Sequence, residues 1–277
     1  MGPGAGPAAG LGHDDRVRRG AVTLSALVLV AALVIGGVVW WSRSRPDPMC
    51  VVTTAGRTVS LTLAQAGYAA TIAGVGDAEG LPDHAVTVAI ATALQESRLQ
   101  NLAGGDRDSA GLFQQRPSQG WGTYAQVTEP VYAAQAFYRA LRKLPDWQDV
   151  TVTEAAQLVQ RSAAPDAYAQ WEPQARAIAV ALTGQEPAAL RCQDLTPQTP
   201  PDDVATVAAA ELGTARLSGA QPEQRGWAFA AWLVAHAQRF DLASVTYDGR
   251  TWTADSGEWS STGTPDGQLA FARGSGT

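Results

Sequence analysis

A run of uncharged residues near the N-terminus constrains the fold of this chain more than any other feature. Residues 20–41, GAVTLSALVLVAALVIGGVVWW, contain no charged side chain. About 20 apolar residues match the thickness of a bilayer core, and the run ends in Trp40 and Trp41, as membrane-interface segments commonly do. The run therefore predicts a single transmembrane helix. A cleaved signal peptide is the alternative, but its apolar region is usually shorter and ends at a small-residue cleavage site.

The rest of the chain divides around this predicted span. Residues 1–19 are rich in Gly, Pro and Ala and predict a disordered cytoplasmic tail, and residues 42–60 predict a polar linker. Helical periodicity predicts a helical domain over 61–184. The prolines of TPQTPP predict a second linker over 185–202, and residues 203–277 predict a small α+β module. The predicted fold class is therefore mainly α, with a helical domain after a single transmembrane helix and a small α+β C-terminal module.

The cysteines and the charge bear on the compartment and on the class of partner. Cys50 and Cys192 bracket the predicted helical domain, which favours a disulfide formed in an oxidising compartment. Two unpaired thiols are the alternative. No histidine lies near either cysteine, so we predict no metal site and no cofactor. The net charge of −6 and the absence of a basic stripe argue against a nucleic-acid binder. Together with the span, these features predict a cell-membrane protein with most of its chain outside the cytoplasm.

Residues 89–102, AIATALQESRLQNL, show helical periodicity and contain a single carboxylate, Glu96. Glu96 falls at the edge of the apolar face, beside the small residues Ala89, Thr92 and Ala93. No Lys or Arg lies three or four residues away to pair with it. The pattern predicts a partly desolvated carboxyl with a raised pKa, which suits a general acid. A solvated glutamate at the rim of a helix is the alternative.

The residues that follow, NLAGGDRDSAGLFQQRPSQGWG, strengthen the catalytic interpretation. Glu96-Ser97, then Ser109, then the run 111–114 form the pattern ES, S and GLxQ. With this pattern the chain, over about residues 61–184, resembles the lysozyme-like superfamily that contains goose-type lysozymes and soluble lytic transglycosylases. The longer run from ALQESRL to SQGWGT resembles an actinobacterial branch of that superfamily.

The resemblance implies a lysozyme-like fold and assigns roles position by position. Glu96 is expected to protonate the glycosidic oxygen between N-acetylmuramic acid and N-acetylglucosamine in peptidoglycan. The expected substrate-binding residues are Ser97, Ser109, Gly111, Gln114, Gln115 and Tyr168. Apart from the resemblance, Trp121, which lies between glycines in QGWGT, is the best candidate to stack on a sugar ring. For Ser97 plain packing is the alternative, because the residue lies in the middle of the apolar helix face. Packing is also the alternative for Tyr168, because the tyrosine motif of the family matches VQRSAAPDAYAQW only loosely. Glycine at position 111 permits a close backbone approach.

The product of the reaction depends on whether a second carboxylate takes part. Inverting hydrolysis uses a base about 6.5–9.5 Å from the acid to activate water, whereas a lytic transglycosylase of this superfamily needs none. Asp106 and Asp108, in the loop GGDRDS, are the near candidates for that catalytic role. Their alternative role is as turn residues. The sequence leaves the choice between muramidase and transglycosylase open.

These features together predict a membrane-anchored extracytoplasmic enzyme that cleaves peptidoglycan glycan strands with Glu96 as general acid and base. Its expected partners are those glycan strands and the membrane, and the sequence names no protein partner. The rival hypothesis is a degenerate lysozyme-like module that holds glycan, or docks a partner, without cutting. Retention of Glu96 and of the GLFQ turn favours the enzyme.

Overall fold

The computed structural model describes residues 1–2, 47–161, 165–196 and 203–274. Every helix and strand discussed below lies in one compact unit, Pro48–Thr277, and the first strand begins at Met49. The site and its supporting core both belong to this unit.

The helices described in this unit begin at recognisable sequence signals. Thr62 and Gln65 form a capping box at the start of the first helix, and Thr151 and Glu154 form one further along the chain. The helix that contains Glu96 begins at Asp83, directly after Pro82, as the sequence predicts. The helices are α1 (Leu63–Ala78), α2 (Asp83–Ser97), α3 (Tyr124–Val127), α4 (Pro130–Leu141), α5 (Val152–Gln160), α6 (Glu172–Leu182), α7 (Val204–Leu212), α8 (Glu223–Ala235) and α9 (Ala237–Phe240).

The strands form two antiparallel sheets in the described part of the chain. The first sheet has the order β2-β1-β3 and the second β4-β8-β5-β6-β7. Between β5 and β6, Asp248 and Gly249 both adopt positive φ, as a two-residue DG hairpin turn requires. The strands are β1 (Met49–Thr54), β2 (Arg57–Thr62), β3 (Leu190–Gln193), β4 (Gly219–Ala220), β5 (Leu242–Tyr247), β6 (Arg250–Thr253), β7 (Trp259–Ser261) and β8 (Gln268–Arg273).

Helix α2 lies at the centre of the helical part. Its residues are buried almost continuously from Ala85 to Leu94, on all sides of the helix rather than on one face. A helix that is apolar all round must be enclosed by other elements, and α1, α4, α5 and α6 all contact it. Many of its side chains are alanines, so the neighbouring helices approach closely. Glu96 lies one residue before the end of this enclosed helix.

The fold class predicted from sequence is wrong in calling the chain mainly α. The described part has 46% helix and 19% strand, in two antiparallel sheets. The first sheet was missed because β1 and β2 fall in or next to residues 42–60, which the sequence predicts as a polar linker, and because β1 also pairs with β3, far along the chain. Such long-range pairing leaves no local pattern in the sequence.

The predicted transmembrane helix, residues 20–41, lies outside the described residues. Among the helices that the structure does describe, none combines the length and the apolar character that crossing a bilayer requires.

The C-terminal residues share a core with the helical part. Helices α7 and α8 pack on α1, and α8 also contacts α6 and β3. Gly74 permits the approach of α7, because a Cβ at this position would lie 2.8 Å from Leu212 Cδ2. Ile72, Leu212 and Trp232 belong to one continuous cluster of buried residues. Residues 203–274 therefore stabilise the helices that carry Glu96.

The predicted disulfide is confirmed, and it closes the first sheet. Cys50 on β1 and Cys192 on β3 are directly opposite each other in the antiparallel register and are bonded, at a sequence separation of 142. Both are fully buried. The bond joins the start of this unit to the segment that follows α6.

We predict that the double variant Cys50→Ser/Cys192→Ser loses about 3–5 kcal/mol of unfolding free energy, because the bond restricts a long loop in the unfolded chain. Urea unfolding of the full-length protein, followed by tryptophan fluorescence, measures this loss. Reduction of the wild-type protein is the control and should give the same midpoint as the variant. A midpoint unchanged in both would contradict a stabilising role for the bond.

Candidate active site

The site is built on the C-terminal end of α2, where the helix stops without a glycine. Arg98 and Leu99 both adopt left-handed φ values of 58° and 56°, and the Leu99 N–H donates to Ala93 O at 3.1 Å. Two contacts hold Arg98 in this unfavourable conformation. Its guanidinium lies 4.0 Å from the centroid of the Trp171 ring, and its carbonyl accepts from Gln65 Nε2 at 2.9 Å. Left-handed non-glycine residues are often found at functional sites.

Glu96 is a half-buried acid with one close phenol partner. Tyr168 Oη donates to Glu96 Oε1 at 2.8 Å. Desolvation by burial raises the pKa of Glu96 above its ordinary value, and hydrogen bonds from Tyr168 and Gln160 act in the opposite direction. Burial is the larger effect, so the carboxyl retains its proton to a higher pH than a solvated glutamate does.

Tyr168 is positioned by a short segment that packs on α2. It belongs to the 3-10 segment Pro165–Trp171, and its side chain is fully buried. At the end of that segment, Trp171 Nε1 donates to Gln95 Oε1 at 2.8 Å, which fixes the segment next to Glu96. Sequence analysis leaves two roles open for Tyr168, substrate contact or packing. The structure places it against Glu96, where its hydroxyl orients the carboxyl.

Gln160 is a site residue that the sequence-based site did not include. Its side chain hydrogen-bonds Glu96, and its Nε2 also donates to Phe113 O at 2.9 Å. The residue lies at the end of α5, in the same VQRSAAPDAYAQW stretch that contains Tyr168. The signal was therefore present in the sequence, where Gln160 and Tyr168 are together the candidates for the tyrosine motif, but because the match is loose only Tyr168 was predicted as a site residue.

The predicted Gly111–Gln114 turn lies against the end of α2. Ser97 Oγ lies 2.7 Å from Leu112 O and 3.0 Å from Ala93 O, so the hydroxyl joins the turn to the helix. Leu112 and Phe113 are fully buried. With Gln160 bound to the next carbonyl, the turn is held from two sides. This arrangement brings Ser97 and the turn together beside Glu96, as the motif predicts.

Two glycines allow this loop to close. Gly111 has φ +80°, and a Cβ there would lie 2.0 Å from Val127 O. At Gly105 a Cβ would lie 1.7 Å from Gln114 Oε1. Neither position accepts a side chain without displacement of the backbone or of the glutamine. The close approach predicted for Gly111 is therefore present, and its partner is protein backbone.

The predicted glycan-lining residues fall into two groups. Ser109 Oγ donates to Gln114 Oε1 at 3.0 Å, and Gln114 Nε2 donates to Gly111 O at 3.1 Å, so these side chains brace each other within the loop. Gln115 is almost completely buried and donates to Ala133 O at 3.1 Å. This places Gln115 beneath the loop, where it anchors the loop to α4 and a substrate does not reach it.

Asp108 and Asp106 have different surroundings. Hydrogen bonds from the Ser118 N–H and hydroxyl, and from the Arg116 guanidinium, lower the pKa of Asp108 to about 2. Its carboxylate is thereby tied into the loop as a brace. Asp106 is exposed, and its nearest cation is the neighbouring Arg107 at 3.9 Å. The structure brings neither carboxylate into contact with Glu96 among the described residues.

Trp121 lines an open cleft next to the loop. The cleft has a volume of about 880 Å³ and is bounded by the residues after the Pro117–Gln119 turn and by α4 and α5. Tyr132 Oη donates to Trp121 O at 3.2 Å, which fixes the backbone that carries the indole. Gln160 also lines the cleft. The cleft therefore begins at a side chain that touches Glu96.

Comparisons with known proteins do not name this site. No protein-family model matches the chain, and no curated protein matches it in sequence. In the part of the chain that the structure describes, no group of three or more His, Cys, Asp or Glu side chains is arranged to hold a metal ion. The function must therefore be argued from the geometry around Glu96.

We predict that Glu96→Gln raises the Tm at neutral pH. Because the pKa of Glu96 is higher in the folded state, the folded state binds more protons, and stability falls as the pH rises from the unfolded value near 4.5 through the raised value. The amide does not ionise, so the variant avoids this loss. Thermal unfolding of both proteins over the acid-to-neutral range measures the difference, which should vanish in acid.

Glu154→Gln is a control in which the Tm at neutral pH is expected to change in the opposite direction. The Thr151 N–H and hydroxyl lower the pKa of Glu154, so its carboxylate stabilises the fold above its ordinary pKa. This control should lower the Tm at neutral pH and converge on the wild-type value in acid. A Glu96→Gln difference that does not depend on pH would contradict a desolvated carboxyl at position 96.

Proposed function

We propose that this protein cleaves the glycan strands of peptidoglycan outside the cytoplasm, with Glu96 as the general acid. The observation that carries the proposal is the half-buried Glu96 carboxyl, whose pKa is raised by burial and whose orientation is set by Tyr168. A carboxyl that keeps its proton to a higher pH is better able to donate it to a glycosidic oxygen, which must be protonated for the bond to break. The resemblance to lysozyme-like proteins in the ES, S and GLxQ pattern supports the same role.

The geometry favours a lytic transglycosylase over an inverting muramidase. Inverting hydrolysis requires a free carboxylate to activate water. Of the two candidates, Asp108 is fully engaged by Arg116 and Ser118, and Asp106 is exposed beside Arg107. No carboxylate is among the groups that affect the pKa of Glu96. Glu96 itself is therefore the best base for the second step.

In the proposed reaction the substrate supplies its own nucleophile. Glu96 gives its proton to the glycosidic oxygen, and the bond from that oxygen to C1 of N-acetylmuramic acid breaks. The 6-hydroxyl of the same sugar then forms a bond to C1, and the Glu96 carboxylate accepts the hydroxyl proton. The products are a 1,6-anhydro sugar and a strand with a free hydroxyl. Water is not consumed, and the acid is regenerated.

We expect the full-length protein to release muropeptides that are lighter by one water than hydrolysed muropeptides. Mass spectrometry of digests of purified peptidoglycan identifies them. Glu96→Gln should slow release by about 10²–10⁴-fold, the range of general acid–base catalysis. Glu258→Gln is the matched control, because it makes the same change at an exposed glutamate that pairs with Arg191.

Each other outcome of this digestion has a definite meaning. Reducing ends would show hydrolysis and would point to Asp106 as the base that activates water. Equal rates for wild type and Glu96→Gln would refute the assignment of the acid. No product from the wild-type protein, with glycan binding retained, would establish the rival function, a lysozyme-like module that holds glycan without cutting it.

We predict that Tyr168→Phe shifts the alkaline limb of the pH–rate profile to higher pH. The Tyr168 hydrogen bond lowers the pKa of Glu96, so its removal leaves burial less opposed and the acid protonated over a wider range. Loss of a positioning hydrogen bond of ~1.5 kcal/mol should also lower kcat/KM about tenfold at the optimum. Profiles of kcat/KM against pH measure both effects.

Tyr138→Phe is the control for this prediction. Its hydroxyl is buried in the core and donates to Ile72 O at 2.9 Å, so the variant also loses a buried hydrogen bond. The alkaline limb should stay where it is in the wild-type protein. A shift of equal size in both variants would assign the effect to stability rather than to the pKa of Glu96.

A further inference from the structure

The open cleft beside the site carries positive charge on two of its walls. Arg139, in the last turn of α4, and Lys143, just after that helix, both line it, and Arg161 lines it from the end of α5. No Asp or Glu is among the described residues that line the cleft. The chain as a whole has a net charge of −6. The lining of the cleft is therefore positively charged, although the chain as a whole is negatively charged.

These cations lack carboxylate partners within the described residues. None of the ion pairs found there includes Arg139, Lys143 or Arg161. Cations are favoured at helix C-termini, but Arg142 at the same end of α4 pairs with Glu79. Arg139 and Lys143 are also four residues apart, a spacing at which like charges on a helix repel each other. The arrangement leaves positive charge available to a ligand.

The remaining lining indicates what kind of ligand fits. Trp121 and Tyr132 supply aromatic surface, and Leu158 is one of the few large apolar side chains that are exposed. The volume of about 880 Å³ is in the range of ligand clefts. A flexible ligand with several carboxylates and some apolar groups matches these features better than a neutral sugar does.

The cleft is continuous with the site through Gln160. The Gln160 side chain hydrogen-bonds Glu96, and the same residue lines the cleft. A substrate group bound in the cleft would therefore belong to a sugar close to the glycosidic bond that Glu96 protonates. In peptidoglycan, each N-acetylmuramic acid carries a short peptide stem with free carboxylates next to its glycosidic bonds.

We propose that the cleft between Trp121 and Arg161 binds the peptide stem of the glycan strand through its carboxylates, contacted by Arg139, Lys143 and Arg161. This inference rests on the proposed function and names a substrate class within it, glycan that still carries its peptides. Stem binding holds the adjacent glycosidic bond at Glu96. The enzyme therefore prefers stem-bearing strands to strands from which the peptides have been removed.

Binding and cleavage test this proposal separately. Binding is measured by calorimetry in the full-length Glu96→Gln protein, with a disaccharide-peptide fragment and with the same disaccharide without its peptide. We expect the peptide-bearing fragment to bind about tenfold more tightly at low salt, since exposed ion pairs each contribute modestly. The triple variant Arg139→Gln/Lys143→Gln/Arg161→Gln, made in the same background, should lose that difference.

Arg142→Gln is the matched control, because it removes a cation from the same helix end outside the cleft. It should retain the preference for the peptide-bearing fragment. Equal binding of the two fragments, a preference that survives in the triple variant, or no binding of either fragment would overturn the stem site. None of these results affects the digestion with wild-type protein, so failure of the stem site and failure of the proposed function are distinguishable.

Discussion

The enclosure of α2 is the constraint on which the rest of this structure depends. A helix buried on all sides has no freedom to rotate or slide, because each shift would move small side chains out of closely fitting contacts. Helices α1, α4, α5 and α6 surround it, and the C-terminal residues support α1 in turn. The end of α2 is therefore a fixed point, and Glu96 projects from that point rather than from a mobile loop.

This rigidity lets the chain hold an unfavourable arrangement around the carboxyl. Arg98, Leu99 and Gln114 adopt left-handed backbone conformations, and Glu96 is partly removed from water. Each feature destabilises the folded state and persists only because other contacts enforce it. The burial of α2 and the disulfide between β1 and β3 supply that enforcement. Stability in the core is thereby linked to strain and a raised pKa at the site.

The charges near the site divide into two sets. The Asp108 carboxylate pairs with Arg116 and accepts two hydrogen bonds from Ser118, which stabilises the shape of the loop. The cations of the open cleft have no such partners among the described residues, and the cleft reaches Glu96 through Gln160. The proposed substrate, a glycan that carries anionic peptides, would place its sugar at the acid and its carboxylates at the cations.

The sequence by itself determined the local features: helical periodicity placed Glu96 near the end of α2, and the glycines marked the loop that follows. These signals arise from residues close together in the chain. The tertiary structure alone decided that Tyr168 and Gln160 meet Glu96, that β1 pairs with β3, and that cations from α4 and α5 share a cleft. Such contacts depend on packing between distant segments, which local patterns do not encode.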